Sequence, residues 1–184
     1  MGTDINCFKE YRDRAGNWHF VAEGPYPNRH SNFFAWLADV RNNVWGEEMP
    51  VLVPPRGLPS GVSASLAKRY DPNVVHSASY FTLAELRAGW ERTKDLEVWL
   101  NGALDPSNPD EKLAAWLDAP EDTRGAPPCG YCSWGMNCQN FRWKETVKEL
   151  IESSYLELER FLAATAKRRK LSADDVRTVF WFDS

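Results

Sequence analysis

The segment His76-Ser-Ala-Ser79 carries the side chains best suited to proton transfer or polar ligand binding. The chain has only three histidines, and His76 is the one that stands beside two hydroxyl groups, Ser77 and Ser79. A neutral imidazole next to hydroxyls can exchange a proton or hold a polar ligand. The same side chains can instead cap the helix that is predicted to follow them. Both interpretations stay open at this point.

An arginine lies between prolines in the stiff loop Pro54-Pro-Arg-Gly-Leu-Pro59. A guanidinium fork next to a glycine N–H is suited to grip phosphate or carboxylate, so Arg56 is a candidate anion ligand. Arg41, with Asn42 at the end of the first predicted helix, could add to such a grip. The alternative is an ion pair between Arg56 and a local carboxylate, Glu47 or Glu48.

Two aspartates bracket the first and last predicted strands, Asp4 and Asp183. A carboxylate at either position could bind a metal ion, orient His76, or pair with Arg177. Pairing with Arg177 is the simplest of these interpretations, and it needs no ligand.

Three of the four cysteines lie in a proline- and glycine-rich stretch as Cys129-x2-Cys132-x5-Cys138. Two thiolates at the first spacing can face one zinc ion, and Cys138 supplies a third ligand. Cys7 or a histidine could complete the shell. Such a closed site would stabilise the cysteine-containing loop 120–142 and would not be a catalytic centre. Free thiols and a redox pair are the alternatives.

Composition predicts one folded domain, residues 1–184, because 43% of the residues are apolar and nine are tryptophans. The net charge of −4 argues against a nonspecific nucleic-acid binder. The most basic run, Lys167-Arg-Arg-Lys170, ends a helical pattern, where cations favour the helix dipole. A phosphate-contacting patch is the other interpretation of this run.

Neither a membrane span nor a secretion signal is expected, because no run of 18 apolar residues occurs and no basic stretch precedes an apolar one at the start. We therefore expect a cytoplasmic protein with reduced thiols.

The first half of the chain predicts a hairpin followed by helices. Residues 5–10 and 18–23 alternate as two strands around a polar loop, and Phe33, Trp36, Leu37 and Val40 form a helical stripe. A long connection from Gly46 to Gly61 is typical of a functional loop. A short helix is expected at 62–69, and Thr82-Leu-Ala-Glu85 has the signature of a capping box opening another helix.

The second half predicts a long helix and a final strand. Leu96, Trp99 and Leu100 form a short apolar face, and a short helix is expected at 111–118. The periodicity from Trp143 to Thr165 predicts a helix of about 24 to 28 residues. Val176 to Phe182 is rich in β-formers and should lie beside the first strand. The fold class is therefore α+β, a small antiparallel sheet that includes both terminal strands and packs against the long C-terminal helix and several short helices.

Five ordered blocks of the sequence resemble an uncharacterised family common in tailed bacteriophages and prophages, whose members begin Met-Gly-x-Asp-Ile-His. The blocks are Met1-Gly-Thr-Asp-Ile, the stretch from Phe33 to Asn42, Pro55-Arg-Gly-Leu-Pro59, His76-Ser-Ala-Ser with the following Thr-Leu-Ala-Glu, and Val176-Arg-Thr-Val-Phe-Trp-Phe-Asp183. The resemblance does not extend over residues 90–170, and Asn6 replaces the family's histidine. It implies a phage context and no particular activity. Positions that match and could build a shared site are Asp4, Asn6, Arg41, Arg56, His76, Ser77, Ser79 and Arg177.

Three functions are compatible with these features. The leading hypothesis is a phage accessory protein that binds a small anionic, nucleotide-like ligand and so sequesters a host defence signal. Arginines for phosphate, small polar residues for sugar or base edges, and surplus aromatics for stacking favour it. The second is an inhibitor that binds a host protein through a Trp-rich surface. The third is a nucleotide hydrolase or phosphodiesterase with His76 as acid or base and Asp4 as its partner.

Overall fold

The structure is a computed structural model, and it describes residues 4–25, 30–42, 48–128 and 137–183. Its strands are β1 (Asp4–Arg12), β2 (Trp18–Glu23), β3 (His76–Thr82), β4 (Glu97–Leu104), β5 (Gln139–Thr146) and β6 (Val176–Asp183). Its α-helices are α1 (Ser31–Ala38), α2 (Ala64–Ala67), α3 (Leu83–Thr93), α4 (Glu111–Asp118) and α5 (Val147–Arg169). Short 3-10 helices lie at Glu121–Thr123 and Ala173–Asp175.

The main sheet is antiparallel, with strand order β2-β1-β6-β3. The two terminal strands pair along their length, from Asp4 opposite Asp183 to Tyr11 opposite Val176. Every residue of β6 except Asp183 is buried, because this strand is central and both faces of the sheet are covered. The predicted α+β fold and the pairing of the two terminal strands are confirmed.

The long helix α5 covers one face of the sheet. It begins at a capping box in which Thr146 and Glu149 satisfy each other's backbone N–H groups. Its buried stripe, Ile151, Tyr155, Leu158 and Leu162, packs in the same core as Phe180 and Phe182 of β6. The rings of Trp90 and Tyr155 stack with their centres 4.1 Å apart, which joins α3 to α5 within this core. We call this side of the sheet the helix face.

The opposite face is covered by residues 54–75 rather than by a long helix. Its core consists of Phe8, Leu66, Ala78, Val179 and Trp181, with Leu58, Val62, Tyr70 and Val75 packed against them. The proline-rich loop therefore contributes to the hydrophobic core through Leu58, and α2 contributes through Leu66. We call this side the loop face.

Three strands of the structure, β3, β4 and β5, were not predicted from the sequence. Residues 76–82 form the edge strand β3, where only a polar lead-in to a helix was expected. Glu97–Leu104 and Gln139–Thr146 pair as a separate two-stranded ribbon. Trp143 consequently lies in β5, and the long helix starts at Val147 and has 23 residues. The predicted hairpin, the helix from Ser31, the capping box at Thr82 and the helix at 111–118 are confirmed.

In the described part of the chain, none of the helices combines the length and the apolarity that a membrane crossing requires.

Candidate functional site

The residues singled out from the sequence lie at opposite ends of the main sheet. His76 is opposite Phe182 near one end of β6, whereas Arg177 is opposite Thr82 near the other end. Arg177 and Phe182 are five residues apart along β6, which corresponds to about 17 Å. His76 and Arg177 therefore do not converge on one point, and a site shared by the eight candidate residues stays a prediction.

At the first end, Asp4 and Asn6 lie on β1 beside the last residues of β6. The Asn6 side-chain amide donates a hydrogen bond to the Asp183 carboxylate at 3.3 Å. The strand register places Asn6 on the face of Trp181, whereas His76 is opposite Phe182 and stacks on its ring. Asn6 and His76 therefore belong to opposite faces of the sheet.

His76 is exposed and forms a hydrogen bond with the Ser77 hydroxyl, with 3.0 Å between Nδ1 and Oγ. Ser77 has a φ of 51° where the register of β3 shifts. A bulge of this kind redirects a side chain, and bulges are common beside active sites. The other two histidines have local roles, since His19 pairs with Asp13 and His30 caps α1. A catalytic or ligand role for His76 and Ser77 stays a prediction.

Arg56 and Ser79 meet at the edge of β3. The Arg56 backbone N–H donates to the Ser79 hydroxyl at 3.2 Å, and the Gly57 N–H donates to the Ala78 carbonyl at 2.9 Å. The Arg56 guanidinium pairs with Glu85 at 2.7 Å. The ion pair proposed as the alternative for Arg56 thus forms, but its partner is the capping-box glutamate of α3.

Arg177 is held by a carboxylate of the protein. Its side chain is 4% exposed, and its Nη2 lies 2.7 Å from the Oε2 atom of Glu10, which is 0% exposed. The Trp18 ring covers the guanidinium at 3.8 Å from the ring centre. Burial lowers the pKa of Arg177, and the hydrogen bond to Glu10 opposes that shift. Because the Nε and Nη2 donors of Arg177 both contact Glu10, Arg177 links β6 to β1 in this structure.

The remaining candidates are Arg41 and the cysteines. Arg41 is exposed in the turn after α1, with a φ of 57°. Cys129 and Cys132 lie outside the described residues, so the zinc prediction for the loop 120–142 stays a prediction. Cys138 is a partly buried thiol just before β5. Cys7 is 1% exposed in the helix-face core, and burial raises the pKa of its thiol to about 12. A zinc ligand must be a thiolate, and this burial disfavours that form.

A groove between α3 and the C-terminal half of α5 brings together charges that are distant in sequence. Its volume is about 570 Å³, and its floor is formed by the small or aliphatic side chains Leu83, Ala163, Ala166, Leu171 and Ala173. Four cations line it: Arg87, Arg160, Lys167 and Lys170. We call it the basic groove.

Arg160, Lys167 and Lys170 have no carboxylate partner within the described residues. Arg87 is paired with Glu159, which is the only acidic residue among those lining the groove. Three cations around an open concavity therefore have their hydrogen-bond donors available for an anion. This arrangement is opposite in sign to the net charge of −4 of the whole chain.

Lys170 occupies a backbone position that usually belongs to glycine. It caps α5 in the left-handed region, with a φ of 55°. A left-handed conformation costs an ordinary L-residue about 1 to 2 kcal/mol, and glycine is the common residue at this position. The lysine thus places a charge at the groove at some cost in backbone energy.

Sequence reasoning found only part of the basic groove. The run 167–170 was noted as a possible phosphate patch, but Arg87 and Arg160 were not candidates. A usable signal was the spacing of Arg160, Lys167 and Lys170, which lie seven and three residues apart and so fall on one side of a helix. The contribution of α3 depends on tertiary packing, which no local pattern reveals.

Comparison with known proteins found no matching family, no matching curated protein and no matching solved structure. The class of protein that fold and site define is therefore an α+β domain with a basic groove between two helices.

Proposed function

We propose that this protein binds a small phosphate-bearing ligand in the basic groove. The observation that carries the proposal is the convergence of Arg87 from α3 with Arg160, Lys167 and Lys170 from α5 on one concavity. Convergent cations with free donors form charge-assisted hydrogen bonds to phosphate oxygens. The proposal keeps the small anionic ligand expected from the sequence and moves its site to a different part of the fold.

The helix dipole explains only part of this arrangement. Basic residues in the last turn of α5 are favourable because the C-terminal carbonyls carry partial negative charge. That effect decays within one turn, and it gives no reason for Arg160, nine residues before the last residue of α5, or for Arg87 on another helix. The ion pair with Glu159 accounts for Arg87, and a shared anionic ligand accounts for Arg160, Lys167 and Lys170.

The volume of the groove lies in the range of small-molecule pockets. Ligand pockets for small molecules span about 300 to 1,000 Å³, and the basic groove has about 570 Å³. Its alanine floor offers apolar contact to the uncharged part of a ligand, while the cations lie around it. In the phage context implied by the sequence resemblance, such a protein would sequester a nucleotide-like signal of the host.

Isothermal titration calorimetry with inorganic pyrophosphate and ADP tests this function. We expect micromolar binding that weakens as salt is raised, because exposed charges are screened. The double variant Arg160→Gln, Lys167→Gln should bind at least about tenfold more weakly, since each charged hydrogen bond contributes about 1.5 to 3 kcal/mol.

The matched control is Lys68→Gln, Lys112→Gln, which removes two exposed lysines outside the groove and changes the net charge equally. It should bind like the unmodified protein. Equal weakening in both double variants would show that only net charge matters, and no binding in the unmodified protein would refute the function.

A protein partner is the second candidate, and the outward face of the β4–β5 ribbon favours it. Trp99 is partly exposed there, with the Arg142 guanidinium 4.6 Å and the Lys144 ammonium 5.0 Å from its ring centre. Tryptophan and arginine are the residues most enriched at interaction hot spots. A stoichiometric partner recovered from host lysate by the unmodified protein, but not by Trp99→Ala, would support this function.

A further inference from the structure

The two carboxylate oxygens of Glu159, the acidic residue of the basic groove, differ in their hydrogen bonding. Arg87 donates two hydrogen bonds to Glu159, from Nε at 3.0 Å and from Nη2 at 2.5 Å, and both go to the same oxygen, Oε1. The other oxygen, Oε2, accepts no hydrogen bond from the described residues. The Glu159 side chain is 19% exposed and lines the groove, so Oε2 is available to a ligand.

A carboxylate oxygen with free lone pairs only accepts hydrogen bonds, and it repels phosphate. The phosphate of a ligand must therefore lie away from Glu159, toward Lys167 and Lys170. On α5 these lysines are eight and eleven residues beyond Glu159, which corresponds to about 12 and 16 Å along the helix axis. Helical side chains lean toward the N-terminus, so the lysines extend back over the alanine floor.

A ligand that contacts both Glu159 and the two lysines must carry hydrogen-bond donors near Glu159 and phosphate near Lys167 and Lys170. We propose that the basic groove recognises the sugar–phosphate part of a ribonucleotide. Glu159 Oε2 accepts hydrogen bonds from the ribose hydroxyls, and Lys167 and Lys170 bind the phosphates. This inference rests on the proposed anion-binding function and adds the class of ligand.

The base of the nucleotide has no stacking partner in the groove. The residues that line it, within the described part of the chain, include no aromatic side chain. Base stacking on an aromatic ring contributes about 1 to 3 kcal/mol in proteins that use it. Recognition through sugar and phosphate alone makes the groove tolerant of the base.

The test compares ligands that differ only at the hydroxyls. Calorimetry on the full chain should give binding of ADP that is at least about tenfold tighter than binding of 2′,3′-dideoxy-ADP, because the dideoxy compound leaves Glu159 Oε2 without a hydrogen-bond donor. UDP should bind within about threefold of ADP, since no base contact contributes. Glu159→Gln should reduce the preference for ADP over the dideoxy compound and tighten pyrophosphate binding, because it removes a carboxylate that repels phosphate.

The matched control is Glu152→Gln, which removes an exposed carboxylate two turns earlier on α5, paired with Lys148 at 3.8 Å. It should keep the preference for ADP. Equal affinities for ADP and the dideoxy compound in the unmodified protein, with pyrophosphate still bound, would overturn the ribose assignment and leave anion binding intact. Absence of pyrophosphate and ADP binding would overturn both proposals.

Discussion

Glu10 and Arg177 form a buried ion pair that also fixes the covering segment of the loop face. The Arg177 Nε and Nη2 atoms lie 2.9 and 2.7 Å from Glu10 Oε2, and Glu10 Oε1 accepts from the Ser63 backbone N–H at 2.9 Å. One carboxylate thus joins β1, β6 and the segment before α2. The pair explains why an arginine that resembled a ligand residue in the sequence is a structural element.

Arg177→Met should lower the free energy of unfolding by about 3 to 5 kcal/mol, because it leaves the Glu10 carboxylate buried without its partner. Urea denaturation monitored by tryptophan fluorescence measures this loss. The control is Arg12→Met, which breaks an ion pair with Asp175 whose arginine is 42% exposed. Arg12→Met should lower the free energy of unfolding by no more than about 1 kcal/mol. Equal losses would contradict the structural role of the buried pair.

Cys7 should be unreactive in the folded protein at pH 8. Burial raises the pKa of its thiol to about 12, so the thiolate needed for alkylation is scarce. Iodoacetamide labelling followed by peptide mass spectrometry should detect modification of Cys7 only after unfolding in urea, with Cys7→Ser as the control for peptide assignment. Rapid labelling of Cys7 in the native protein would contradict this packing.

Lys9 should make stability rise with pH in the alkaline range. It is 6% exposed, its ammonium donates to the Phe161 carbonyl at 2.6 Å, and burial together with the nearby Arg168 lowers its pKa to about 8. Between pH 8 and 10.5 the unfolded chain holds the proton that the folded chain has lost. The free energy of unfolding therefore increases by up to about 1.4 kcal/mol per pH unit from this group.

The measurement is the difference in unfolding free energy between the unmodified protein and Lys9→Met, followed from pH 7 to 10.5. The difference removes the opposite contribution of Cys7, whose raised pKa lowers stability above pH 9. The unmodified protein should gain stability relative to Lys9→Met across this range. A difference that stays constant with pH would show that Lys9 is not desolvated.

Much of the fold was predictable because its elements obey local rules. The alternation in residues 5–10 and the β-formers in residues 176–182 predicted the two paired terminal strands, and Thr82-Leu-Ala-Glu85 predicted the start of α3. The sequence also holds Thr146-Val-Lys-Glu149, a capping box of the same type, which would have placed the start of α5 correctly. It was missed because Trp143 stands four residues before Val147 and so mimics a helical stripe.

The candidate site was less predictable, because sequence order does not show which face or end of a sheet a residue occupies. The sequence interpretation grouped His76 and Arg177 in one site, yet the strand register separates them. Arg56 and Arg177 resembled free anion ligands, and tertiary structure supplied Glu85 and Glu10 as their partners. Arg87 became a groove residue only through the packing of α3 on α5.

Lys170→Gly should weaken ligand binding without lowering the free energy of unfolding. Glycine suits the left-handed cap of α5, so the free energy of unfolding should stay unchanged or rise by up to about 1 kcal/mol. Loss of the ammonium group should weaken pyrophosphate binding several-fold. Thermal denaturation and calorimetry on the same preparation measure both effects, with Lys112→Gln as the charge control. Unchanged affinity would exclude Lys170 from the site.

The position of the anion site is tested most directly by ¹H–¹⁵N NMR of the full chain titrated with pyrophosphate. The account predicts that the perturbed amides cluster in residues 159–173 of α5 and the following turn and in residues 83–87 of α3, with little change in β1 and β3. Perturbations centred on Asp4, Asn6 and His76, or no perturbation at millimolar pyrophosphate, would contradict it.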